Sequence, residues 1–64
     1  MQPTDHEVAI HMARTGGGFA ANLAKTWMVA DAHHRALITS TFPSMWDAYR
    51  VGLIQMQQRE EVRT

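Results

Sequence analysis

Three consecutive glycines that open onto an apolar run are the strongest candidate for chemistry in this sequence. A glycine-rich bend before a helix presents unpaired backbone N–H groups, which can hold an anion such as a phosphate. Basic side chains near the bend would add charge to the site. The residues that could form this anion site are Arg14, Gly16, Gly17, Gly18, Lys25 and Arg35. The pattern is neither a G-x-G-x-x-G fingerprint nor a P-loop, because no Lys-Ser/Thr pair follows the glycines.

The same glycines have a purely structural explanation, which we favour. Gly16 would end the first helix in the left-handed conformation, and Gly17 would lengthen the connection to the second helix. Gly18 would let the two helices pack closely. Under this explanation the loop shapes the fold and binds no ligand.

Histidines and hydroxyl side chains are the remaining candidates for a reactive site. The histidines are His6, His11, His33 and His34. Neither adjacent histidines nor histidines five residues apart have the spacing of metal ligands on a helix. Ser40 and Thr41 could lie near His33, but hydroxyls close to a helix end more often bond to the backbone. We therefore expect no metal, no cofactor and no enzymatic activity.

Length, composition and charge limit what the chain can be. A chain of 64 residues forms one domain with a small core, and the absence of cysteine excludes disulfides and thiolate metal sites. We expect self-association, most simply as a homodimer, to add buried surface. Six basic and six acidic residues give a net charge of zero, unlike a nucleic-acid-binding protein. Without a membrane-spanning stretch or a secretion signal, the sequence favours a cytoplasmic location.

Capping and spacing signals predict an all-α fold, a single domain over residues 1–64 built as a bundle of three to four short helices. Thr4 and Glu7 match a capping box, which starts a helix over residues 5–14. The same segment alternates apolar and polar residues at the strand period, so an exchanged strand stays an alternative. The residues of this segment expected to face inward are Val8, Ala9 and Met12.

Three more helices are predicted after the glycines. The second, over residues 18–30, is amphipathic, and the third, over residues 32–41, follows an N-cap at Asp31. The fourth, over residues 43–60, begins at Pro43, because proline suits the first position of a helix. The apolar face of the second helix is expected to consist of Phe19, Leu23 and Trp27, flanked by Ala20 and Ala24. The buried residues of the third helix are expected to be Leu37, Ile38 and either Ala36 or Thr41.

The fourth helix carries a stripe of apolar residues with heptad-like spacing. Successive members are four, three, four and three residues apart, which places them on one helix face. The stripe consists of Phe42, Trp46, Tyr49, Leu53 and Met56. We expect it to be both core and the seam through which two copies associate. Its aromatic residues could instead stack on bases, but core packing is the favoured explanation.

Several short motifs, taken in order, resemble those of small accessory proteins encoded by tailed bacteriophages and prophages. Such proteins typically show a T-G-G-x-F loop, a helix, an A-D-x-x-N-x-x-x-L turn and helix, and a closing F-P-x-x-W-x-x-Y segment. The matching residues, within 11–50, are Thr15-Gly16-Gly17-Gly18-Phe19, Leu23-Ala24, Ala30-Asp31, Arg35-Ala36-Leu37, and Phe42-Pro43 with Trp46 and Tyr49. His34 stands where the pattern often has Asn. The resemblance implies a phage accessory protein, a class whose members often bind a host protein, a signal molecule or a phage partner.

Three functions stay open at this point. The leading hypothesis is a phage protein that docks on a host protein in the host cytoplasm and inhibits or modulates it, for instance a component of antiviral defence. It rests on the resemblance and on apolar residues in excess of what one small core can hold. The alternatives are an oligomeric sponge for an anionic nucleotide signal at the glycine loop, and a structural or virion-associated accessory protein.

Overall fold

The computed structural model describes the backbone of residues 2–63 and the side chains of residues 2–60. Its four helices are α1 (Asp5–Thr15), α2 (Gly18–Val29), α3 (Ala32–Thr41) and α4 (Pro43–Arg63). The described residues contain no strand. The predicted all-α fold is therefore confirmed, and the strand alternative for residues 5–14 is wrong.

The first helix forms because its capping signal is used in full. The Glu7 backbone N–H donates to the Thr4 hydroxyl at 3.1 Å, and the Thr4 backbone N–H donates to the Glu7 carboxylate at 3.0 Å. These two bonds satisfy donors that a helix start otherwise leaves unpaired. At the other end, Gly16 is extended, with φ of −75°, so the predicted left-handed stop is wrong.

The remaining helices begin near the positions that local signals predict. Asp31 caps α3 by accepting from the His34 backbone N–H at 2.8 Å. Pro43 is the first residue of α4, where its missing N–H costs nothing. The ends differ slightly from prediction, because α2 stops at Val29 and α4 continues to Arg63.

The core lies where α1 packs against α2 and α4. The hydrophobic core cluster consists of Val8, Ala9, Met12, Ala20, Ala24, Trp27, Trp46 and Leu53. The rings of Trp27 and Trp46 meet at its centre, with centroids 5.5 Å apart. Three expectations fail here, since Phe19 is 60% exposed, Leu37 is 49% exposed, and neither Ala36 nor Thr41 is buried. Leu23 and Ile38 are half-buried at the edge of this core.

Long side chains in the middle of α4 reach both ends of helix α1. Asp5, at the start of α1, pairs with Arg50, and Gly16, just beyond its end, lies close to the Tyr49 hydroxyl. These contacts fix α1 against α4.

Candidate functional site

In the glycine loop, only the backbone of Gly16 packs closely against neighbouring residues. A Cβ added to Gly16 would lie 2.6 Å from the Met12 carbonyl oxygen, 2.9 Å from the Ala20 Cβ and 3.1 Å from the Tyr49 hydroxyl. Cβ atoms added to Gly17 or Gly18 would meet open space. Close packing is therefore the role of Gly16, and the prediction that Gly18 fills it is wrong.

The structure does not gather the predicted basic residues around this loop. The Arg35 guanidinium donates to the carbonyl oxygens of Trp27 and Met28 at 3.0 and 2.8 Å, at the far end of α2. Nine residues of helix separate Trp27 from Gly18, or about 13 Å. Arg35 also lies over the Trp27 ring, 4.4 Å from its centroid. It therefore closes the C-terminus of α2 and holds α3 in place.

The other two basic candidates, Lys25 and Arg14, lie on different helices and do not meet Arg35. Lys25 is an exposed residue in the second half of α2, about 10 Å along the helix from Gly18. Arg14 is exposed and lines a groove between α1 and α4. Within one chain, the described structure thus does not bring Arg14, Lys25 and Arg35 together as a phosphate pocket.

Next to the glycine loop lies a pair of aromatic side chains, one exposed and one half-buried, which we call the aromatic patch. Phe19 in the first turn of α2 and Phe42, immediately before α4, meet edge to face with centroids 5.6 Å apart. The two rings stabilise each other in this geometry, yet Phe19 stays mostly in solvent. An exposed, held aromatic ring is a typical anchor for protein binding.

The backbone beside the aromatic patch has free hydrogen-bonding capacity. Helix α2 begins at Gly17 without a side-chain cap, and its first turn contains no acidic residue. Helix N-termini carry unpaired N–H donors and a partial positive charge. Acidic groups of a partner would be favoured next to Phe19.

The residues of the apolar stripe on α4 differ in how deeply they are buried. Trp46 and Leu53 are buried inside their own chain, while Phe42 and Tyr49 are half-buried. Met56 is 42% exposed. The middle of the stripe is therefore used within the chain, and the seam between two copies stays a prediction.

The groove between α1 and α4, which we call the α1–α4 groove, has a volume of about 450 Å³. Its lining from α1 consists of Glu7, Ile10, His11, Arg14 and Thr15, and its lining from α4 of Leu53, Met56 and Gln57. This groove was not predicted from the sequence. A second line of residues along α1, Glu7, Ile10 and Arg14, is spaced at helical intervals beside the buried face and could have indicated it.

The histidines lie in separate surroundings. His6 lies near the Trp27 ring, and His11 packs edge-on against Tyr49. His34 bonds to Asp31 at the start of α3, with His33 beside it. Among the described residues, no group of three or more His, Asp or Glu side chains could hold a metal ion.

The hydroxyls near His33 bond to the backbone. Ser40 and Thr41 both donate to the Leu37 carbonyl, at 3.1 and 2.7 Å. A hydroxyl that donates within its own helix has a structural partner already. This arrangement agrees with the structural explanation given to these hydroxyls above.

Two carboxylates have perturbed acidity, both at helix starts. The Thr4 backbone N–H that bonds to Glu7 lowers the pKa of its carboxyl below the ordinary 4.5. The His34 backbone N–H bonded to Asp31 likewise lowers the pKa of that carboxyl below 3.8. Backbone donors favour the charged form in each case. The perturbation therefore reflects capping rather than acid–base chemistry.

Comparison with known proteins adds no family to these observations. No family model matches the chain, and neither the curated proteins nor the solved structures contain a match. Within the described residues, each helix is too short or too polar to cross a lipid bilayer.

Proposed function

We propose that this protein is a small binding module that docks on another protein through the aromatic patch. The observation that carries the proposal is Phe19, a large ring that is 60% exposed and held against Phe42. A monomeric domain this small has little apolar surface to spare, because its core is marginal. A phenylalanine held in solvent against a second ring offers a partner a pre-positioned aromatic anchor, which a single exposed side chain such as Val29 does not.

The residues of the aromatic patch indicate which groups a partner would bring to it. An apolar side chain of the partner would pack on Phe19, and an acidic group beside it would accept from the uncapped N–H groups of α2. The resemblance to phage accessory proteins suggests that this partner is a bacterial host protein, in the cytoplasm, whose activity the docking modulates. Antiviral defence components are one class of such proteins.

The nucleotide sponge and the structural role have less support. The basic residues that the sponge needs are dispersed over the surface, with Arg35 already bonded to the end of α2. A virion part would use the same exposed surface, but it would be recovered in purified particles.

The proposal is tested by capture from bacterial lysate with wild type, Phe19→Ala and Val29→Ala proteins. Val29 is the matched control, because it is an 86% exposed apolar residue at the other end of the same helix. We expect wild type and Val29→Ala to retain the same stoichiometric protein by mass spectrometry, while Phe19→Ala weakens its affinity about 30-fold, as at an aromatic hot spot. Circular dichroism should show equal helicity for all three.

Several outcomes would contradict the proposal. Equal loss with both variants would show that the patch is not the anchor, and no retained protein under varied salt conditions would remove the docking function. A saturable rise in melting temperature with cyclic nucleotides would favour the sponge instead, because a ligand of the folded state stabilises it.

A further inference from the structure

Helix α3 lies outside the hydrophobic core, although it connects two helices that form it. Helix α1 packs against both α2 and α4, and Trp27 of α2 meets Trp46 of α4 at the centre of the core. The residues of the core cluster all belong to these three helices, and none of the ten residues of α3 is buried. The core is therefore complete without α3.

Helix α3 is too short to be stable without neighbours. Isolated helices of fewer than about 12 residues are marginal in water. The hydroxyls of Thr39, Ser40 and Thr41 donate to carbonyl oxygens of α3 itself, so they do not tie it to another helix. The cap formed by Asp31 likewise bonds to a residue of α3, His34. Contacts with other helices thus decide whether α3 stays folded.

The polar contacts of this kind come from one side chain. The Arg35 guanidinium bonds to the carbonyl oxygens of Trp27 and Met28, and among the described residues no other side chain of α3 forms a hydrogen bond with another helix. The same guanidinium lies over the Trp27 ring, 4.4 Å from its centroid. Ile38, one turn further along α3, is half-buried against the core. Arg35 is therefore the main polar tie between α3 and its neighbours.

Opening of α3 would not require α2 or α4 to move. As a helix, α3 is about 15 Å long, whereas ten extended residues reach more than about 30 Å. The unfolded segment can therefore still connect the two helix ends. Opening would also take the guanidinium away from the Trp27 ring, which is only 5% exposed in the closed structure.

We propose that α3 is a lid at the C-terminal end of α2, which opens by local unfolding while α1, α2 and α4 keep their packing, and that Arg35 holds this lid closed. Opening uncovers the face of the Trp27 ring that Arg35 covers, together with the two carbonyl oxygens to which Arg35 donates. The lid is held by Arg35 rather than by the aromatic patch. The proposal therefore does not depend on the docking function and can fail independently of it.

The first test is amide hydrogen exchange of the wild type, followed by NMR at neutral pH in low concentrations of urea. Urea promotes an opening in proportion to the surface that the opening exposes. We expect the amides of α3 to exchange at least tenfold faster than those of Met12 and Ala24 in the core, with little dependence on urea. The core amides should depend steeply on urea.

Equal exchange rates and equal urea dependence in α3 and in the core would overturn the lid, because α3 would then open only when the whole chain unfolds. A complete lack of protection in α3 would also overturn it, because the lid would never be closed.

The second test compares Arg35→Met with Arg14→Met. Methionine matches arginine in helix propensity and is also unbranched, but it cannot donate the two hydrogen bonds. Arg14 is the matched control, because it is an exposed arginine on α1. We expect Arg35→Met to accelerate exchange in α3 about tenfold or more, as the loss of hydrogen bonds from a charged donor predicts, and Arg14→Met to leave it within about twofold. If α3 exchanges at the wild-type rate in Arg35→Met, Arg35 does not hold the lid closed.

Discussion

Helices α1 and α3 are nearly equal in length and both follow an N-cap side chain, yet they differ in how many of their residues are buried. Val8, Ala9 and Met12 of α1 are completely buried, whereas α3 has no buried residue. The comparison shows that capping decides where a helix begins, while burial depends on which neighbours the chain brings to it.

The two helices are held by different interactions. Helix α1 is fixed by packing against α2 and α4 around the Trp27–Trp46 pair. Helix α3 is fixed at its start by Asp31 and along its length by Arg35, which bonds to the end of α2, with only Ile38 packed on the core. Packing gives α1 a stability that polar contacts on an exposed helix cannot match.

The largest expected effect comes from truncating the core that holds α1. Trp46→Ala should cost about 3 to 5 kcal/mol, because it removes a buried ring and leaves a cavity. That loss is comparable to the whole stability expected of a small core, so the variant should be largely unfolded by circular dichroism. Leu37→Ala on α3, where the side chain is half exposed, should cost only about 1 kcal/mol.

Trp46→Phe is the control variant, because it removes the indole N–H but keeps an aromatic ring in the core. The indole Nε1 of Trp46 is buried with no hydrogen-bond partner among the described residues. Phenylalanine removes that unpaired donor and keeps much of the ring, so we expect a smaller loss and a folded protein in urea titrations. A folded Trp46→Ala protein, or a Leu37→Ala protein that unfolds equally, would contradict the contrast between the two helices.

A smaller effect is expected where α1 ends. Gly16→Ala would push a methyl group against the Met12 carbonyl and the Ala20 side chain, so we expect a loss of about 1 to 3 kcal/mol from overpacking. Gly18→Ala places its methyl group in open space and should be neutral or stabilise by up to about 1 kcal/mol. Thermal unfolding of the two variants measures the difference. Equal destabilisation would mean that the glycines act through chain flexibility rather than close packing.

Local signals predicted the helices well, but the sequence did not show which residues of the apolar face of α2 lie deepest. The spacing placed Phe19, Leu23 and Trp27 at the centre of that face, with Ala20 and Ala24 beside them. The structure buries the two alanines and Trp27, leaves Leu23 half-buried and exposes Phe19, and Gly16 lies close to the Ala20 side chain. Small residues that admit a neighbouring segment look like weak core candidates in a sequence, so their greater burial was not predicted.

The candidate sites show the same limit. The aromatic patch joins Phe19 to Phe42, and Arg35 reaches Trp27 across a turn, so each contact depends on how separate helices pack. Spacing within one helix does not report such contacts. The basic residues therefore suggested a phosphate pocket, but the fold of one chain keeps these residues apart.

The smallest expected effect compares the caps of the two helices in acid. The carboxyls of Glu7 and Asp31 have pKa values lowered in the folded protein, so their stabilising effect is complete above the ordinary values of 4.5 and 3.8. It is lost as the pH falls through the lower folded values. Helix α3 depends more on its cap, because it has no buried residue. As the pH falls below the ordinary Asp31 value of 3.8, we expect amide exchange to lose protection in α3 before α1.

Asp31→Asn separates the charge from the cap in this experiment. Asparagine caps a helix about as well as aspartate but does not titrate, so the variant should keep α3 protected at neutral pH and remove much of its sensitivity to acid. Hydrogen exchange followed by NMR reports both helices in one sample. If α3 opens at the same pH in Asp31→Asn as in the wild type, the charge of Asp31 does not set the acid sensitivity of α3. If α1 opens before α3 in the wild type, burial does not decide which helix is the more stable, and the contrast between the two helices is wrong, because α1 has three completely buried side chains and α3 has none.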